Sequence, residues 1–434
     1  MRSTSSPRPV FALADVNSMY CSCERAFRPD LHKTPIVVLS NNDGCVIAQT
    51  KEVKALGIEM AQPWFEVEKQ ARAIGVVAFS SNYEMYASFS NRFVETLRHF
   101  APRIEVYSID ECFMDLTGLK LDLEEYGRKI KDTVLEWTSL PICVGIGHSK
   151  TLAKLANKVA KKQERFGGVC DFTSMSEAEL DALLEKLDVD KVWGVGRRYA
   201  ERLNSLGVRN VLRLKRANPR RVRDEFGVVL MRTVQELNGI ACHELTEEIE
   251  PSKQVMSSRS FGQRVSSLQG LREAISFHAA TATARLREQR LYAQAVHCFI
   301  QNSPFDERPY FGRSLTIALP SPTNDTFKVT EAALMLLERM YAPKVYYQKA
   351  GVMLMELVPV AGQQMDLLGY SDDAGKAESL MTAIDKINER YGRHTVRLAS
   401  QGYRNDWAMR RELKSRNYTA DWNELPTIGE RFAL

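Results

Sequence analysis

Between positions 255 and 357 the apolar pattern changes period in a fixed order: strand 255–261, helix 271–290, strands 294–300 and 314–319, helix 329–341, strand 347–357. In a β-α-β-β-α-β order each helix crosses over between strands of one sheet. That confines this stretch of about 100 residues to a split-βαβ sandwich. The N-terminal part alternates as well. An apolar strand at 10–14 runs out at Asp15, and a second at 35–39 enters the turn-rich Ser40-Asn41-Asn42-Asp43-Gly44. A helix over 51–56 stops at Gly57, a residue suited to a helix C-terminus. A helix over 83–100 precedes strands 104–107 and 112–116, which are joined around 108–111. Asp122 with Glu125 marks the start of a helix reaching about Trp137, followed by strand 142–147 and a basic helix over 150–162. Ser176 with Glu179 opens a further helix over 177–187. Strands alternating with helices up to about residue 165 describe a sheet with helices packed on it. The chain is therefore α+β, and 434 residues suit roughly three or four domains.

No apolar run approaches the roughly 18 residues needed to span a bilayer, so no membrane contact is expected. Eight cysteines are scattered without a CxxC pair, which is neither a zinc framework nor a disulfide scaffold and fits a reduced, cytoplasmic setting. The net charge of +5 matters less than its distribution. Positions 197–223 carry ten Lys/Arg and one acid, Glu201, whereas 171–190 carry seven acids and one Lys. The helix over 150–162 and the stretch from Lys386 to Arg416 are again basic. Positive charge gathered in several runs is the footprint of a polyanionic ligand, here nucleic acid.

Three features bear on chemistry. Asp15 stands where a buried strand ends, and Asp110-Glu111 at the junction of two others. Acids at strand ends often serve only as turn residues. If these three converge, their repulsion calls for cations, and two Mg²⁺ ions about 3.5–4 Å apart suit phosphoryl transfer. The second feature is Val192-Trp193-Gly194-Val195-Gly196-Arg197. A G-x-G turn between short helices leaves backbone N–H groups open to a DNA phosphate, whatever the base sequence. It lacks the third glycine of a dinucleotide fingerprint. The third is the lysine face Lys150, Lys154, Lys158 with Lys161 and Lys162.

Longer strings carry a resemblance. Ala14-Asp15-Val16-Asn17-Ser18-Met19-Tyr20-Cys21-Ser22-Cys23-Glu24 and Tyr107-Ser108-Ile109-Asp110-Glu111-Cys112-Phe113 look like the two catalytic signatures of Y-family DNA polymerases. Ser80-Ser81-Asn82-Tyr83-Glu84, Leu152-Ala153-Lys154-Leu155-Ala156-Asn157 and Trp193-Gly194-Val195-Gly196-Arg197-Arg198 narrow it to the UmuC-type branch, from about residue 10 to the C-terminus. The resemblance implies a right-hand polymerase after a flexible tail at 1–9. It has a ferredoxin-like palm (10–30 and 76–167), small fingers (31–75), a helix-hairpin-helix thumb (168–245) and a split-βαβ little finger (246–358). A region over 359–434 holds a clamp-binding peptide and a basic partner-binding tail. It implies error-prone, DNA-templated translesion synthesis from dNTPs on primer-template DNA in the SOS response.

It also implies roles. Asp15, Asp110 and Glu111, with the backbone of Val16, would hold two Mg²⁺ ions. Tyr20 would be the steric gate that leaves no room for a 2′-hydroxyl. Asn17, Ser18, Met19, Ile47, Ala48, Lys51, Lys54 and Lys161 would line the nucleotide, and Gly194, Val195, Gly196, Arg197, Arg198 and Arg259 the DNA. Ala48, Lys51 and Met19 depart from the Thr, Tyr and aromatic residue common elsewhere in the family. Gln364-Met365-Asp366-Leu367-Leu368 resembles a sliding-clamp peptide with a less complete apolar plug. A UmuD-type processed dimer and a RecA filament are the further partners implied.

Overall fold

The computed structural model describes residues 7–247, 251–361, 374–403, 407–419 and 421–427. Of these, 7–40, 44–247 and 413–427 form one unit, and the remainder, with 41–43, a second.

In the first unit β1 (Phe11–Val16) leads into α1 (Met19–Phe27). β2 (Ile36–Leu39), β3 (Val46–Gln49), α2 (Lys51–Ala55), α3 (Trp64–Ala73) and β4 (Val77–Ser80) follow. Then come α4 (Tyr83–Leu97), β5 (Ile104–Val106), β6 (Glu111–Asp115), α5 (Leu123–Thr138), β7 (Ile142–Gly147), α6 (Lys150–Lys162) and β8 (Val169–Asp171). The main sheet has the order β5-β6-β1-β7-β8, with β1 antiparallel to both neighbours. The β6-α5-β7 crossover is therefore split by β1, as in a ferredoxin-like layer.

Strand parity divides the sheet's two faces. Ala12, Ala14, Val16, Cys112, Met114, Val144 and Ile146 pack into one core with Phe89 and Phe93 of α4 and Ile130 and Val134 of α5. Phe11, Leu13 and Phe113 pack instead with Ala153 of α6. That helix lies close to the sheet because β7 is Ile-Cys-Val-Gly-Ile-Gly: a Cβ at Gly145 would stand 2.0 Å from the backbone nitrogen of Asn157. Asn157 seals the contact, donating to the carbonyls of Leu13 (3.2 Å) and Cys143 (2.7 Å).

A smaller sheet, β3-β2-β4, closes over Trp64 and Val53, with β2 and β4 parallel. The helices α7 (Glu177–Glu185), α8 (Arg197–Ser205), α9 (Val211–Lys215), α10 (Pro219–Phe226) and α11 (Val228–Leu237) complete the N-terminal part of this unit. Leu183, Leu184, Leu203, Leu214, Val234 and Leu237 share their core with Leu152, Leu155 and Val159 of α6. Ser176 and Glu179 form the capping box read from sequence, and Asp122 accepts from the Glu125 N–H at 2.9 Å.

The second unit comprises β9 (Val255–Val265), α12 (Leu268–Glu288), β10 (Leu291–Gln301), β11 (Gly312–Thr323), α13 (Thr326–Met340) and β12 (Tyr347–Met355). A short β13 (Val358–Pro359) pairs with β10, and α14 (Ala374–Tyr391) follows. The order β11-β10-β12-β9 is antiparallel throughout, so each β-α-β crossover is split by one strand: β12 lies between β9 and β10, and β10 between β11 and β12. The element order matches the sequence reading, with the first three strands longer and the last, β12, two residues shorter than read. Absent from that reading were α1, α3, α9, α10, α11, β3, β4, β8 and β13. The clamp-like residues Gln364, Met365, Asp366, Leu367 and Leu368 lie outside the described residues. Among the described residues no helix is long and apolar enough to cross a membrane.

Candidate active site

The same strand parity that buries Leu13 against α6 puts Asp15 on the α6 face. Asp15 is the register partner of Glu111 across the antiparallel β1–β6 pair. Directly opposed residues in such a pair have Cβ atoms about 4.5–5.5 Å apart and side chains on the same face. Asp110 adjoins them, its carbonyl accepting from the Val16 N–H at 2.9 Å. Ser108 shapes this corner: its hydroxyl donates to Asp110 Oδ1 at 2.6 Å and accepts from the Glu111 N–H at 3.0 Å.

Three carboxylates at one end of the sheet need positive charge, and α6 supplies it. Lys161 pairs with Asp15, and Lys154 with Glu111 at 2.9 Å. Burial raises the Asp15 carboxyl to about 6; Lys161 opposes this, and repulsion from Glu111 and Asp110 adds to it. Among the described residues no group of three His, Cys, Asp or Glu side chains stands ready as a metal cluster. The lysine pairs engage Asp15 and Glu111 instead. The donor set is nonetheless all carboxylate oxygen, the chemistry that hard divalent cations select.

Tyr20 follows the turn at the end of β1, where Ser18 takes a left-handed conformation (φ 46°) and donates its hydroxyl to the Gln49 carbonyl at 2.8 Å. The Asn17 N–H donates to the Pro141 carbonyl at 2.8 Å. Tyr20 is half-buried, stacked on Tyr86 with centroids 4.5 Å apart and edge-on to Tyr83 at 6.0 Å. Burial, then Tyr83 and Asp110, raises the Tyr20 hydroxyl above its ordinary value. Ile47 is half-buried on β3, whereas Ala48 and Met19 are buried. Lys51 and Lys54 are exposed on α2.

At the G-x-G turn only Gly194 adopts a positive φ (+84°); Gly196 caps α8, and Val195 is buried in the helical core. Arg197 and Arg198 are exposed on the first turn of α8, with Arg197 bonded to Glu201 at 2.9 Å. Arg259 is exposed on β9 of the second unit. Sequence reasoning gave Lys154 no site role. Its ammonium touches Glu111 while lying over Tyr107 at 4.2 Å and Trp193 at 5.3 Å, and Trp193 Nε1 donates to the Tyr107 hydroxyl at 3.1 Å. The available signal was the 154/161 spacing, which puts both lysines on one face of α6.

Comparison with known proteins fits this arrangement. The impB/mucB/samB family model matches residues 14–158 and its C-terminal domain 252–367; the HHH motif of the IMS family matches 177–208 and a domain of unknown function 378–428. A Y-family DNA polymerase chimera aligns over 81% of this chain and 99% of its own, with a TM-score of 0.63 at 21% identity. That likeness shows the fold of a Y-family DNA polymerase. UmuC from Salmonella typhimurium is 45% identical over 96% of this chain and 99% of its own length, and SamB from the same organism is 43% identical over the same shares. The chain belongs to the impB/mucB/samB family and is a DNA-directed DNA polymerase of the translesion class. DNA polymerase IV 1 from Bacillus subtilis is more distant, at 26% identity over 88% of the chain.

Proposed function

We propose that this polymerase transfers dNMP from a dNTP to a primer 3′-hydroxyl by two-metal phosphoryl transfer, and that it does so opposite damaged template bases during the SOS response. The observation that carries the reading is the Asp15–Glu111 register pair with Asp110 beside it. Asp15, Asp110 and Glu111, with the backbone of Val16, would hold two Mg²⁺ ions, which when bound would activate the primer hydroxyl and neutralise the triphosphate.

The chain's own residues do the rest. Lys161, paired with Asp15, is placed to turn to triphosphate oxygens once that carboxylate is engaged elsewhere. Lys51 and Lys54 add positive charge on the same ligand, while Asn17, Ser18 and the backbone of Met19 carry the turn beneath it. Tyr20 excludes a 2′-hydroxyl by occupying its volume. Ile47 and Ala48 are small enough beside the nascent pair to admit a distorted base. Gly194, Val195 and Gly196 present backbone to a DNA phosphate, with Arg197, Arg198 and Arg259 as charged contacts.

On this reading the palm is 10–30 and 76–167, the fingers 31–75, the thumb 168–245 and the little finger 246–358. The partners are primer-template DNA, a UmuD-type processed dimer, a RecA filament and, more weakly through 364–368, a sliding clamp. Primer extension by Asp110→Asn tests the core of it: extension is expected to vanish while duplex binding, read by fluorescence anisotropy, persists. A variant that extends at the parental rate would remove Asp110 from the site.

A further inference from the structure

Behind Tyr20 lies a buried polar chain that the polymerase reaction does not account for. Tyr86, fully buried on α4, stacks on Tyr20 with their planes 14° apart. Its hydroxyl donates to Glu24 Oε1 at 2.6 Å. Glu24, on α1, is 0% exposed, and the same oxygen accepts from the Ser415 hydroxyl at 3.1 Å. Glu24 Oε2 is buried with no hydrogen-bond partner, so the two donors on Oε1 orient this carboxylate.

Ser415 belongs to the segment 413–418, which runs along the end of β4 in the first unit. The Ser80 N–H donates to the Leu413 carbonyl at 3.0 Å, and the Leu413 N–H to the Ser80 hydroxyl at 2.9 Å. Asn82, fully buried at the start of α4, donates Nδ2 to Ser415 O (3.2 Å), Ser415 Oγ (3.0 Å) and Arg416 O (3.3 Å). Tyr418 stacks on Phe27 of α1 with centroids 4.7 Å apart. The segment thus grips both helices that carry the tyrosine pair.

We propose that segment 413–418 is a positioning element for sugar selection: through Ser415, Glu24 and Tyr86 it fixes the plane on which the Tyr20 ring rests. The inference rests on the reading of Tyr20 as the gate. A near-parallel stack transmits the tilt of one ring to the other, and the Tyr86 tip is held by its bond to Glu24. Without the Ser415 hydroxyl, a buried carboxylate keeps a single side-chain donor and can turn, releasing that tip. A small tilt of Tyr20 leaves a deoxyribose undisturbed but opens volume where a 2′-hydroxyl would clash.

The test is single-nucleotide insertion of each dNTP and its ribonucleotide counterpart by full-length wild type, Ser415→Ala, Ser415→Thr, Tyr86→Phe and Tyr20→Ala. Ser415→Ala and Tyr86→Phe are expected to lower sugar discrimination about three- to tenfold, as befits one buried hydrogen bond. The change should lie in a higher ribonucleotide kcat/KM, with deoxynucleotide kcat/KM within about twofold of wild type, and Ser415→Thr should restore it. A merely structural role would lower both substrates together and would overturn the proposal. Ser415 is part-exposed, so its variants should fold even if Tyr86→Phe does not. Unchanged discrimination in Ser415→Ala and Tyr86→Phe, with Tyr20→Ala relaxed, would overturn the positioning role alone. Unchanged discrimination in Tyr20→Ala would overturn the gate and the inference together.

Discussion

Asp15 and Glu111, distant in sequence, stand directly opposite each other across the β1–β6 pair, on the face that α6 covers. Each is held by a lysine of that helix, Lys161 and Lys154. The acid corner is thus charge-balanced by two lysines of one helix.

Removing one of them should separate nucleotide binding from DNA binding. Lys161→Met is expected to raise the KM for dNTP by roughly tenfold, about 1.4 kcal/mol, the scale of one charge-assisted hydrogen bond. Steady-state insertion kinetics beside anisotropy of the primer-template complex read the two effects separately. An unchanged KM would exclude Lys161 from the triphosphate.

Chelation should mimic loss of the acids. With EDTA, extension is expected to stop and to return on adding Mg²⁺, while duplex binding persists throughout. Extension that survives chelation would refute the metal assignment of Asp15, Asp110 and Glu111.

The close approach of α6 to β7 makes Gly145 intolerant of any side chain. Gly145→Ala would drive Cβ into the backbone of α6 at Asn157, and a loss of about 2–3 kcal/mol is expected from overpacking. Denaturant unfolding reads it directly. The helix that moves carries Lys154 and Lys161, so insertion should weaken as well.

Glu24 should make stability pH-dependent near neutrality. Burial raises its carboxyl from 4.5 to about 7 against the opposing pull of Tyr86, Ser415 and Arg28. The native state therefore holds a proton that the unfolded chain releases between those values. This contribution is full below about pH 4.5 and lost as pH rises through about 7, up to about 3 kcal/mol in all. Urea midpoints across that range should fall with pH in wild type and stay flatter in Glu24→Gln. Equal slopes would show that Glu24 does not titrate there.

On the helical side, the double variant Arg197→Ala, Arg198→Ala is expected to weaken DNA binding equally on all sequences. The slope of log K against log salt should shrink by up to about 2, near 0.9 per lost phosphate contact. A slope that does not change would place both arginines away from the backbone.

Much of this molecule was readable before its coordinates. Strand Ile142–Gly147, helix Lys150–Lys162 and the Ser176–Glu179 cap fall where periodicity and capping residues put them, because those signals arise within a few turns of chain. The second unit's β-α-β-β-α-β order was legible for the same reason. The strands Val46–Gln49 and Val77–Ser80 were not, being four residues each with no alternation long enough to register.

Sequence alone thus identified the acids, the tyrosine and the glycine turn as residues of a family, by type and local spacing. It could not say that β12 inserts between β9 and β10, that Lys154 reaches Glu111, or that Ser415 closes on Glu24. These depend on which distant strands pair and in what register. A slip of one residue in β1 would turn Asp15 to the opposite face and leave Glu111 without its partner. Such parity is an outcome of burying whole faces together, and no local stretch of chain encodes it.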